Sequence, residues 1–383
     1  MLFLGDLMEH IYIHWPFCRQ KCAYCDFTSF TSCDKFEKEY CTALCNEITS
    51  FAQKESKIKT IFLGGGSPSL CSQKSLEAIF KTIYENFLCD DLIEVTIEAN
   101  PADISREKLQ FWRQFGINRL SMGVQILDDD VLQKINRRQK TRDVYNAMEL
   151  APQYFENISV DLILGLPDVS EKTWFQTLQT VTKFPIKHVS VYFLTLYEKT
   201  PLACAIKTGK IKALSDDAMV ETYEETVSFL EEKGLKQYEI SNFAHKEHES
   251  LHNQAYWDYK KYRGFGVSAA SFDGDVRCVN TKSLKTYLAC WGKNEDCDKK
   301  YDLIEQLNDE QKRMEQVMLL LRQKKKGGLQ RMIYLVGAVK NARFLRTLSA
   351  LKSQLLLEEK NGDIFLTSRG MALENEVVLK LLG

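Results

Sequence analysis

The sequence of 383 residues lacks a surplus of either charge, a long apolar run and a high content of glycine or proline. Its 51 basic and 52 acidic residues nearly cancel, so bulk charge attracts neither nucleic acid nor an anionic membrane surface. No apolar run approaches the roughly 18 residues of a membrane-spanning helix, and the first ten residues lack the basic stretch that opens a signal peptide. We therefore predict a soluble, cytoplasmic protein with no membrane span and no nucleic-acid partner, while peripheral contact with a membrane stays open.

Cysteine, by contrast, is abundant and unevenly spread. Eight of the 12 cysteines lie within the first 89 residues. A domain stabilised by disulfides is short and carries its cysteines throughout, whereas this chain is long. In a reducing compartment such crowding favours metal binding or redox chemistry over structural disulfides.

Short β-branched or aromatic runs alternate with helix-like stretches over the first half of the chain. The predicted strands are His10–Trp15, Lys57–Leu63, Leu92–Ala99, Asn118–Val124, Ile158–Leu164 and His188–Leu194. The predicted helices are Lys35–Ala52, Ser75–Phe87, Arg106–Phe115, Thr141–Leu150 and Glu171–Phe184. This alternation predicts parallel crossovers, and strands mostly apolar on both faces predict a sheet covered on both sides. Six such units, with no GxGxxG after the first strand, favour a partial α/β barrel over a dinucleotide-binding sheet.

The pattern changes after about residue 210. We predict a helix at Asp216–Lys233, a strand at Tyr238–Ser241 and a linker at Asn294–Asp302. Two helices and a two-stranded ribbon then predict a mainly helical, winged-helix-like C-terminal domain, with a plain capping subdomain as the alternative. The predicted elements are Glu310–Gln323, Ala338–Leu351, Leu355–Glu359 and Ile364–Thr367, ahead of a last helix.

These changes predict three parts: a barrel over residues 1–210, an extension over 211–300 and the C-terminal domain over 301–383. The lysine run Lys324–Lys326 is interpreted as a solvated loop rather than a DNA contact. Residues 1–7 precede the first strand and have no partner that we can name. We therefore predict that functional translation starts at Met8.

The strongest motif is Cys18-Arg-Gln-Lys-Cys22-Ala-Tyr-Cys25, directly after the first predicted strand. Three thiolates on one short loop can bind three irons of a [4Fe–4S] cluster and leave the fourth iron open. Zinc would need a fourth ligand at metal spacing, and the chain shows no second CxxC. Zinc and simple buried thiols stay as alternatives. Cys41 and Cys45 share one helix face and are predicted to be small core residues.

Polar or glycine residues mark the ends of several predicted strands. Gly66 and Ser67 belong to a Gly-Gly-Gly-Ser-Pro loop after the second strand, where a backbone without Cβ atoms can approach a ligand and offer N–H groups. Glu98 ends the third strand and Gln125 the fourth, and ligand loops of a barrel gather at these ends. A buried structural hydrogen bond is the alternative for each residue. Asp161 in the fifth strand and Arg137, which could pair with a ligand carboxylate, complete the set.

At the cysteine triplet the sequence resembles the radical S-adenosylmethionine (SAM) superfamily. The remaining motifs resemble oxygen-independent coproporphyrinogen III oxidases and their relatives: YIHWPFC, the glycine loop, EANP, GVQ, DLILGLP and LTLYE. The resemblance implies a partial (β/α)6 TIM-like barrel in which the cysteines bind a [4Fe–4S] cluster. It also implies that SAM is contacted by Tyr12, Tyr24, Gly66, Ser67, Glu98, Gln125, Arg137 and Asp161.

Two branches of this subgroup differ at positions that this sequence allows us to compare. The oxidases carry a fourth cysteine where this chain has Phe27, and a longer segment ahead of the first strand. The branch viewed as haem chaperones (HemW-like) carries an H-N-x-x-Y-W motif, present here as His252-Asn-Gln-Ala-Tyr256-Trp257. Two features depart from that branch: Gln139 replaces a usual histidine, and the glycine-rich segment 264–270 has none.

The resemblance to the chaperone branch implies a protein that binds haem and transfers it to an acceptor protein. His252 would be the axial haem ligand, beside two aromatic rings, and its polar neighbours predict a surface loop. Whether such a protein cleaves SAM as an enzyme stays open. The alternatives are an oxygen-independent coproporphyrinogen III oxidase and, from another class, a structural zinc or nucleic-acid module.

Overall fold

A single mixed sheet of twelve strands dominates the computed structural model, which describes residues 8–292, 299–324 and 328–382. The strands are β1 His10–Trp15, β2 Gln53–Lys57, β3 Thr60–Gly65, β4 Phe87–Leu88, β5 Glu94–Ala99, β6 Arg119–Gln125, β7 Asn157–Leu164, β8 His188–Phe193, β9 Lys236–Gln237, β10 Asn242–Ala244, β11 Tyr262–Phe265, β12 Ala270–Phe272, β13 Val276–Asn280, β14 Tyr301–Gln306, β15 Leu357–Lys360 and β16 Asp363–Leu366. The α-helices are α1 Glu37–Ser50, α2 Gln73–Asn86, α3 Arg106–Gln114, α4 Asp129–Lys134, α5 Thr141–Leu150, α6 Glu171–Val181, α7 Pro201–Lys207, α8 Asp216–Glu232, α9 Leu251–Trp257, α10 Leu284–Tyr287, α11 Asp309–Leu321, α12 Gly328–Val336, α13 Ala338–Ser353, α14 Ser368–Ala372 and α15 Glu374–Leu382.

Six parallel strands form the predicted partial barrel. They lie side by side in the order β1-β3-β5-β6-β7-β8, each joined to the next by a crossover that contains a helix. All six predicted strands are confirmed to within a few residues at each end, as are the five helices between them. The β-branched and aliphatic side chains that identified these strands, such as Ile61, Val95 and Leu120, pack outward into the hydrophobic core.

The inner face of the barrel is polar, contrary to the prediction of strands apolar on both faces. Side chains at every second position make hydrogen bonds across the interior: His10 with Thr60, Ser121 with Asp161, and Ser159 with His188. Period-two alternation separates these residues from the apolar outer row. Both faces of the sheet are covered, as predicted. Helices pack on the outer face, and on the inner face the polar side chains of the strands hydrogen-bond to one another.

Strands beyond β8 lengthen the sheet at both of its edges, which the sequence did not predict. Strand β11 pairs in parallel with β1, and β12, β13 and β14 continue the sheet antiparallel. The predicted strand Tyr238–Ser241 is wrong. Strands β9 and β10 flank that segment, whose residues bond elsewhere: the Tyr238 hydroxyl to His188, and Glu239 through a bridge to Gln323.

The C-terminal part contains helices α11 to α13, then the hairpin β15–β16 and two short helices. The predicted ribbon is confirmed, and the turn between its strands contains Asn361 and Gly362, both at positive φ. Helix α12 was not predicted, and the predicted last helix is divided into α14 and α15. Strand β14 begins within the predicted linker, whose residues 294–298 lie outside the described residues, as do residues 1–7 and two lysines of the run at 324–326. The three-part division of the chain stays a prediction. None of the helices in the described ranges is both long and apolar enough to cross a membrane.

Candidate functional site

The cysteine loop is held against the C-terminal ends of the barrel strands by backbone hydrogen bonds. The amide of Cys18 donates to Phe30 O at 3.0 Å, and that of Ala23 donates to Ile135 O at 2.8 Å. A turn from Cys22 to Cys25, closed at 3.2 Å, places these two thiols near each other. Cys18 is buried, and Cys22 and Cys25 are half-buried.

The electrostatics of this loop fit an iron–sulfur cluster. Burial raises the pKa of the Cys25 thiol to about 11 and also raises that of Cys18, so thiolates here need a cationic partner. The guanidinium of Arg137 lies 3.5 Å from the Cys22 sulfur, and its Nε is buried with no hydrogen-bond partner among the described residues. Over the described ranges no three His, Cys, Asp or Glu side chains converge on a single metal-ion position, whereas a cubane cluster spreads its thiolates over separate irons. The three cysteines would hold such a cluster, with Arg137 beside it.

The glycine loop supports the cysteine loop instead of presenting its amides to a ligand. The Gly66 amide donates to Trp15 O at 2.7 Å, the Ser67 amide to Phe17 O at 3.0 Å, and the Gly65 amide to Glu98. A Cβ on Gly66 would lie 2.8 Å from the Pro16 carbonyl carbon, closer than real contacts allow. The prediction of free N–H groups is therefore wrong, because the missing Cβ atoms let two protein loops pack together.

Two neighbouring carboxyl groups, Glu98 and Asp161, face the barrel interior below these loops. Burial raises the pKa of Glu98 to about 8, with Asp161 adding to the effect. Burial also raises the pKa of Asp161, against hydrogen bonds from Ser190 and Ser121, the latter at 2.9 Å. A cationic group of a ligand would offset the cost of ionising this pair.

Strand β6 ends in a strained residue. Gln125 has φ of 68°, a left-handed conformation that is uncommon for a non-glycine residue, and a bulge lies between Gly123 and Gln125. Arg137 fixes this end by donating to Gly123 O at 2.6 Å. Strain of this kind concentrates at functional sites. Gln139 also bonds there, to Gly123 O and Val124 O, so the residue in the place of the usual histidine is a buried structural amide.

The predicted cluster and SAM residues form one connected neighbourhood. Tyr24 lies beside Arg137, Cys22 and Cys25, and burial raises its pKa. Glu98 interacts with Tyr12 and Asp161, and Ser67 Oγ lies 3.5 Å from the Cys18 sulfur. The sequence argument missed His14, whose Nδ1 lies 3.1 Å from the Tyr12 hydroxyl while Nε2 bonds Thr28 O in the cysteine loop. The alternation in His10-Ile-Tyr-Ile-His14 was the signal for it.

His252 lies elsewhere, and the prediction of a surface loop is wrong. It belongs to helix α9, is 1% exposed, and sits inside the barrel against Phe62. Its Nδ1 is 2.7 Å from Thr60 Oγ1 and its Nε2 is 2.8 Å from the Tyr256 hydroxyl. Burial lowers its pKa to about 3, so the imidazole is neutral. The Glu94 carboxylate explains this placement, because it accepts from the amides of Leu251 and His252 at the N-terminus of α9.

A cleft of about 410 Å³ opens beside α9, between the barrel and the C-terminal part. It is lined by Tyr192, Glu239, Ile240, Ser241, Asn242, Asn253, Tyr256, Trp257, Arg322, Glu374 and Asn375. The Trp257 indole N–H is buried with no hydrogen-bond partner among the described residues, whereas the Glu239 carboxylate interacts with the backbone amides of Ser241 and Asn242 and with the Asn242 side chain. Arg322 binds Glu374 through two hydrogen bonds, of 2.8 and 3.0 Å. The cleft thus combines aromatic walls with several polar and charged groups, as ligand sites do.

Glu239 should make stability depend on pH. Burial raises its pKa from 4.5 to about 7, so the folded chain holds a proton that the unfolded chain releases. The free energy of unfolding should therefore fall as pH rises from about 4.5 to about 7, by at most about 3 kcal/mol. We expect Glu239→Gln to flatten this part of the profile in urea unfolding of the cluster-free chain, and the exposed Glu232→Gln to leave it unchanged. Identical profiles for Glu239→Gln and the parent chain would contradict the assignment.

Comparisons with known proteins agree with this site. The sequence model of the Radical SAM superfamily matches residues 12–181, and membership of that superfamily implies a [4Fe–4S] cluster and SAM. The heme chaperone HemW of Bacillus subtilis is 35% identical over 98% of this chain and 100% of its own length. That of Lactococcus lactis is 31% identical over 97% and 96%. A mitochondrial radical S-adenosyl methionine domain-containing protein 1 of Bos taurus is 34% identical over 69% of this chain and 61% of its own.

Among solved structures, the coproporphyrinogen III oxidase HemN of Escherichia coli matches with a TM-score of 0.82. The alignment covers 98% of this chain and 90% of that one at 23% identity, a level that establishes the shared fold alone. The full-length relatives at above 30% identity carry the finer conclusion. The chain belongs to the HemW family of the radical SAM superfamily.

Proposed function

We propose that this protein is a cytoplasmic haem chaperone, which binds haem beside helix α9 and transfers it to an acceptor protein. The observation that carries the proposal is the cleft beside α9, where Tyr256 and Trp257 of the H-N-x-x-Y-W motif form an aromatic wall. The HemW relatives bear the name heme chaperone, and this chain aligns with two of them over nearly its full length.

The cleft fits part of a tetrapyrrole in size and chemistry. Its volume lies within the range of small-molecule sites, and rings such as Trp257 can stack on a porphyrin face. Arg322 also lines the cleft, but its guanidinium already binds the Glu374 carboxylate, so a haem propionate would have to displace Glu374. His252 is the axial ligand that the resemblance offers, but its Nε2 reaches iron only if the Tyr256 hydroxyl leaves it.

The opposite end of the barrel would hold the cluster and SAM. We propose Cys18, Cys22 and Cys25 as cluster ligands, and as SAM contacts Tyr12, Tyr24, Gly66, Ser67, Glu98, Gln125, Arg137 and Asp161. When bound, the cluster supplies an electron that can cleave the SAM sulfonium. In this chain Arg137 would orient the ligand carboxylate, and Glu98 with Asp161 would pair with its ammonium group.

Phe27 favours this function over the alternative, the oxidative decarboxylation of coproporphyrinogen III. It stands where the oxidases carry a further cysteine and is 67% exposed on the cysteine loop. A phenyl ring supplies neither the proton nor the electron chemistry of a thiol. The side chains that serve that chemistry in the oxidases are therefore incomplete here.

The test combines haem titration with product analysis on anaerobically reconstituted protein. We expect a haem absorption band, weakened in affinity by His252→Ala and unchanged by His245→Ala, a histidine outside the cleft. We also expect haem transfer to apomyoglobin, and no protoporphyrinogen IX from coproporphyrinogen III with SAM and reductant. Turnover of coproporphyrinogen III, or absence of haem binding, would contradict the proposal.

A further inference from the structure

The charge of the whole chain is balanced, but its C-terminal part contains a strongly basic stretch. Between Glu315 and Glu358 the sequence has nine basic residues and no acidic one. From residue 322 onward, the ion pairs among the described residues involve Arg322, Lys324, Lys352 and Lys360. Arg343 and Arg346 of helix α13 lie within this stretch and are exposed, and neither pairs with a carboxylate of the described residues. The solvent side of α13 is therefore positively charged.

The composition of this side of α13 is typical of a protein-binding surface. The helix buries Phe344, Leu348 and Leu351 against its neighbours. The exposed residues, which we call the basic face, include Ala342, Arg343, Leu345, Arg346, Ser349 and Ser353. Leu345 is 44% exposed and adjoins Arg346, and the small residues allow a partner to approach the helix closely. Arginines three residues apart on a helix repel each other, and an acidic partner would relieve this repulsion.

The basic face lies one helix away from the cleft. Helix α13 packs against α15, and Glu374 and Asn375 at the start of α15 line the cleft. The axes of packed helices are about 8–10 Å apart, and a standard interface covers about 800 Å² of each partner. A protein docked on the basic face would therefore also cover the edge of the cleft.

Two other kinds of anionic partner fit this face less well. A helix that binds a membrane surface buries a row of large apolar side chains, and the described part of the basic face has only Leu345. Duplex DNA is held through many phosphate contacts from basic side chains, and the described part of the face offers two arginines. An acidic protein needs neither the apolar row nor the long array of charges.

We propose, on the basis of the haem-transfer function above, that the basic face is the docking surface for the acceptor protein, and that the acceptor presents carboxylates around its haem pocket. Attraction between the two surfaces raises the rate of their encounter and orients the acceptor. Haem then passes within a complex of the two proteins instead of through solution. Its iron keeps one oxidation state throughout, so docking consumes no oxidant or reductant.

The experiment measures the rate of haem transfer from the reconstituted, haem-loaded protein to two apoproteins: apocytochrome b5, which is acidic, and apomyoglobin, which is close to neutral. We expect the rate to apocytochrome b5 to rise with its concentration and to fall as salt is added. The double variant Arg343→Glu/Arg346→Glu should slow this transfer by about 10-fold or more at low salt and leave transfer to apomyoglobin unchanged.

The matched control is Lys74→Glu/Lys81→Glu on helix α2. It makes the same change in net charge at two exposed positions that do not line the cleft, and it should leave both rates unchanged. A second measurement needs no haem: the fluorescence anisotropy of labelled apocytochrome b5 on addition of the haem-free protein. We expect binding at low salt that is weakened in Arg343→Gln/Arg346→Gln and weakened further in the glutamate variant.

The outcomes separate the inference from the function on which it rests. Equal transfer rates for the parent chain and the glutamate variant, or a rate independent of acceptor concentration, would overturn the docking surface and leave the chaperone proposal in place. Binding of a short DNA duplex or of phosphatidylglycerol vesicles, without binding of apocytochrome b5, would overturn the acidic protein as the partner. A parent chain that binds no haem would overturn the chaperone function, and the anisotropy would then decide on the docking surface alone. If thermal unfolding shows that the glutamate variant does not fold, the glutamine variant decides.

Discussion

Serine in place of Cys18, Cys22 or Cys25 is expected to remove most of the iron and sulfide that anaerobic reconstitution gives, about four of each per chain. The hydroxyl of serine is a poor iron ligand, and each of these thiols would hold its own iron. The loop itself should persist in the variants, because its anchors are backbone hydrogen bonds such as those of Cys18 N and Ala23 N. Iron and sulfide analysis with the absorption spectrum provides the measurement.

Cys41→Ser is the matched control for this loss. Cys41 is a buried thiol of helix α1 whose sulfur lies 3.6 Å from Ser75 O, in the core and not in the cysteine loop. Its replacement should leave cluster content unchanged. A full cluster in the triple variant, or a loss in Cys41→Ser equal to that in Cys22→Ser, would contradict the assignment.

Glu47→Ala is expected to lower the free energy of unfolding by about 3–5 kcal/mol. Glu47 is fully buried and joins helix α1 to the extension: it accepts from the Gly266 amide, the Asn280 side chain and the Tyr287 hydroxyl at 2.6–2.9 Å. It also lies 3.6 Å from the buried guanidinium of Arg263. Its removal would leave this cation and three donors without their shared acceptor. Urea unfolding at neutral pH measures the loss.

The control for Glu47 is Glu39→Ala in the same helix. Glu39 is exposed, so its replacement should change the free energy of unfolding by no more than about 0.5 kcal/mol. Equal effects of the two substitutions would show that Glu47 does not connect the barrel to its extension.

The barrel could be predicted because each of its strands carries its own signal. Runs such as Val95 to Ile97 are β-branched and end at a turn, and the pattern holds through β8. The cysteine loop could be predicted for the same reason, because its motif lies within a few consecutive residues. Strand β11 was missed because Gly264 interrupts its apolar pattern and its parallel partner, β1, lies about 250 residues away in sequence.

Contacts between residues distant in sequence explain why the predictions for His252 and the glycine loop were wrong. Polar neighbours of His252 predicted a loop, but Glu94 fixes its helix from a strand some 150 residues earlier, which no local pattern records. The glycine loop has the composition of a ligand loop, yet its amides bond to the strand β1 exit. Composition drew attention to both places but could not identify the residues that they contact.

Strand β5 carries a carboxylate towards each end of the barrel, so the length of this strand sets the distance between the two carboxylates. Glu94 accepts hydrogen bonds from the first amides of helix α9, and Glu98 lies four residues further along the same strand, beside Asp161. An extended strand rises about 3.3 Å per residue, so the backbone positions of Glu94 and Glu98 are about 13 Å apart along the strand. Covalent geometry, more than side-chain packing, therefore fixes the spacing between the start of helix α9 and the Glu98–Asp161 pair. Surface substitutions can accumulate without altering that spacing, whereas a one-residue insertion in β5 would turn one of the two carboxylates out of the barrel.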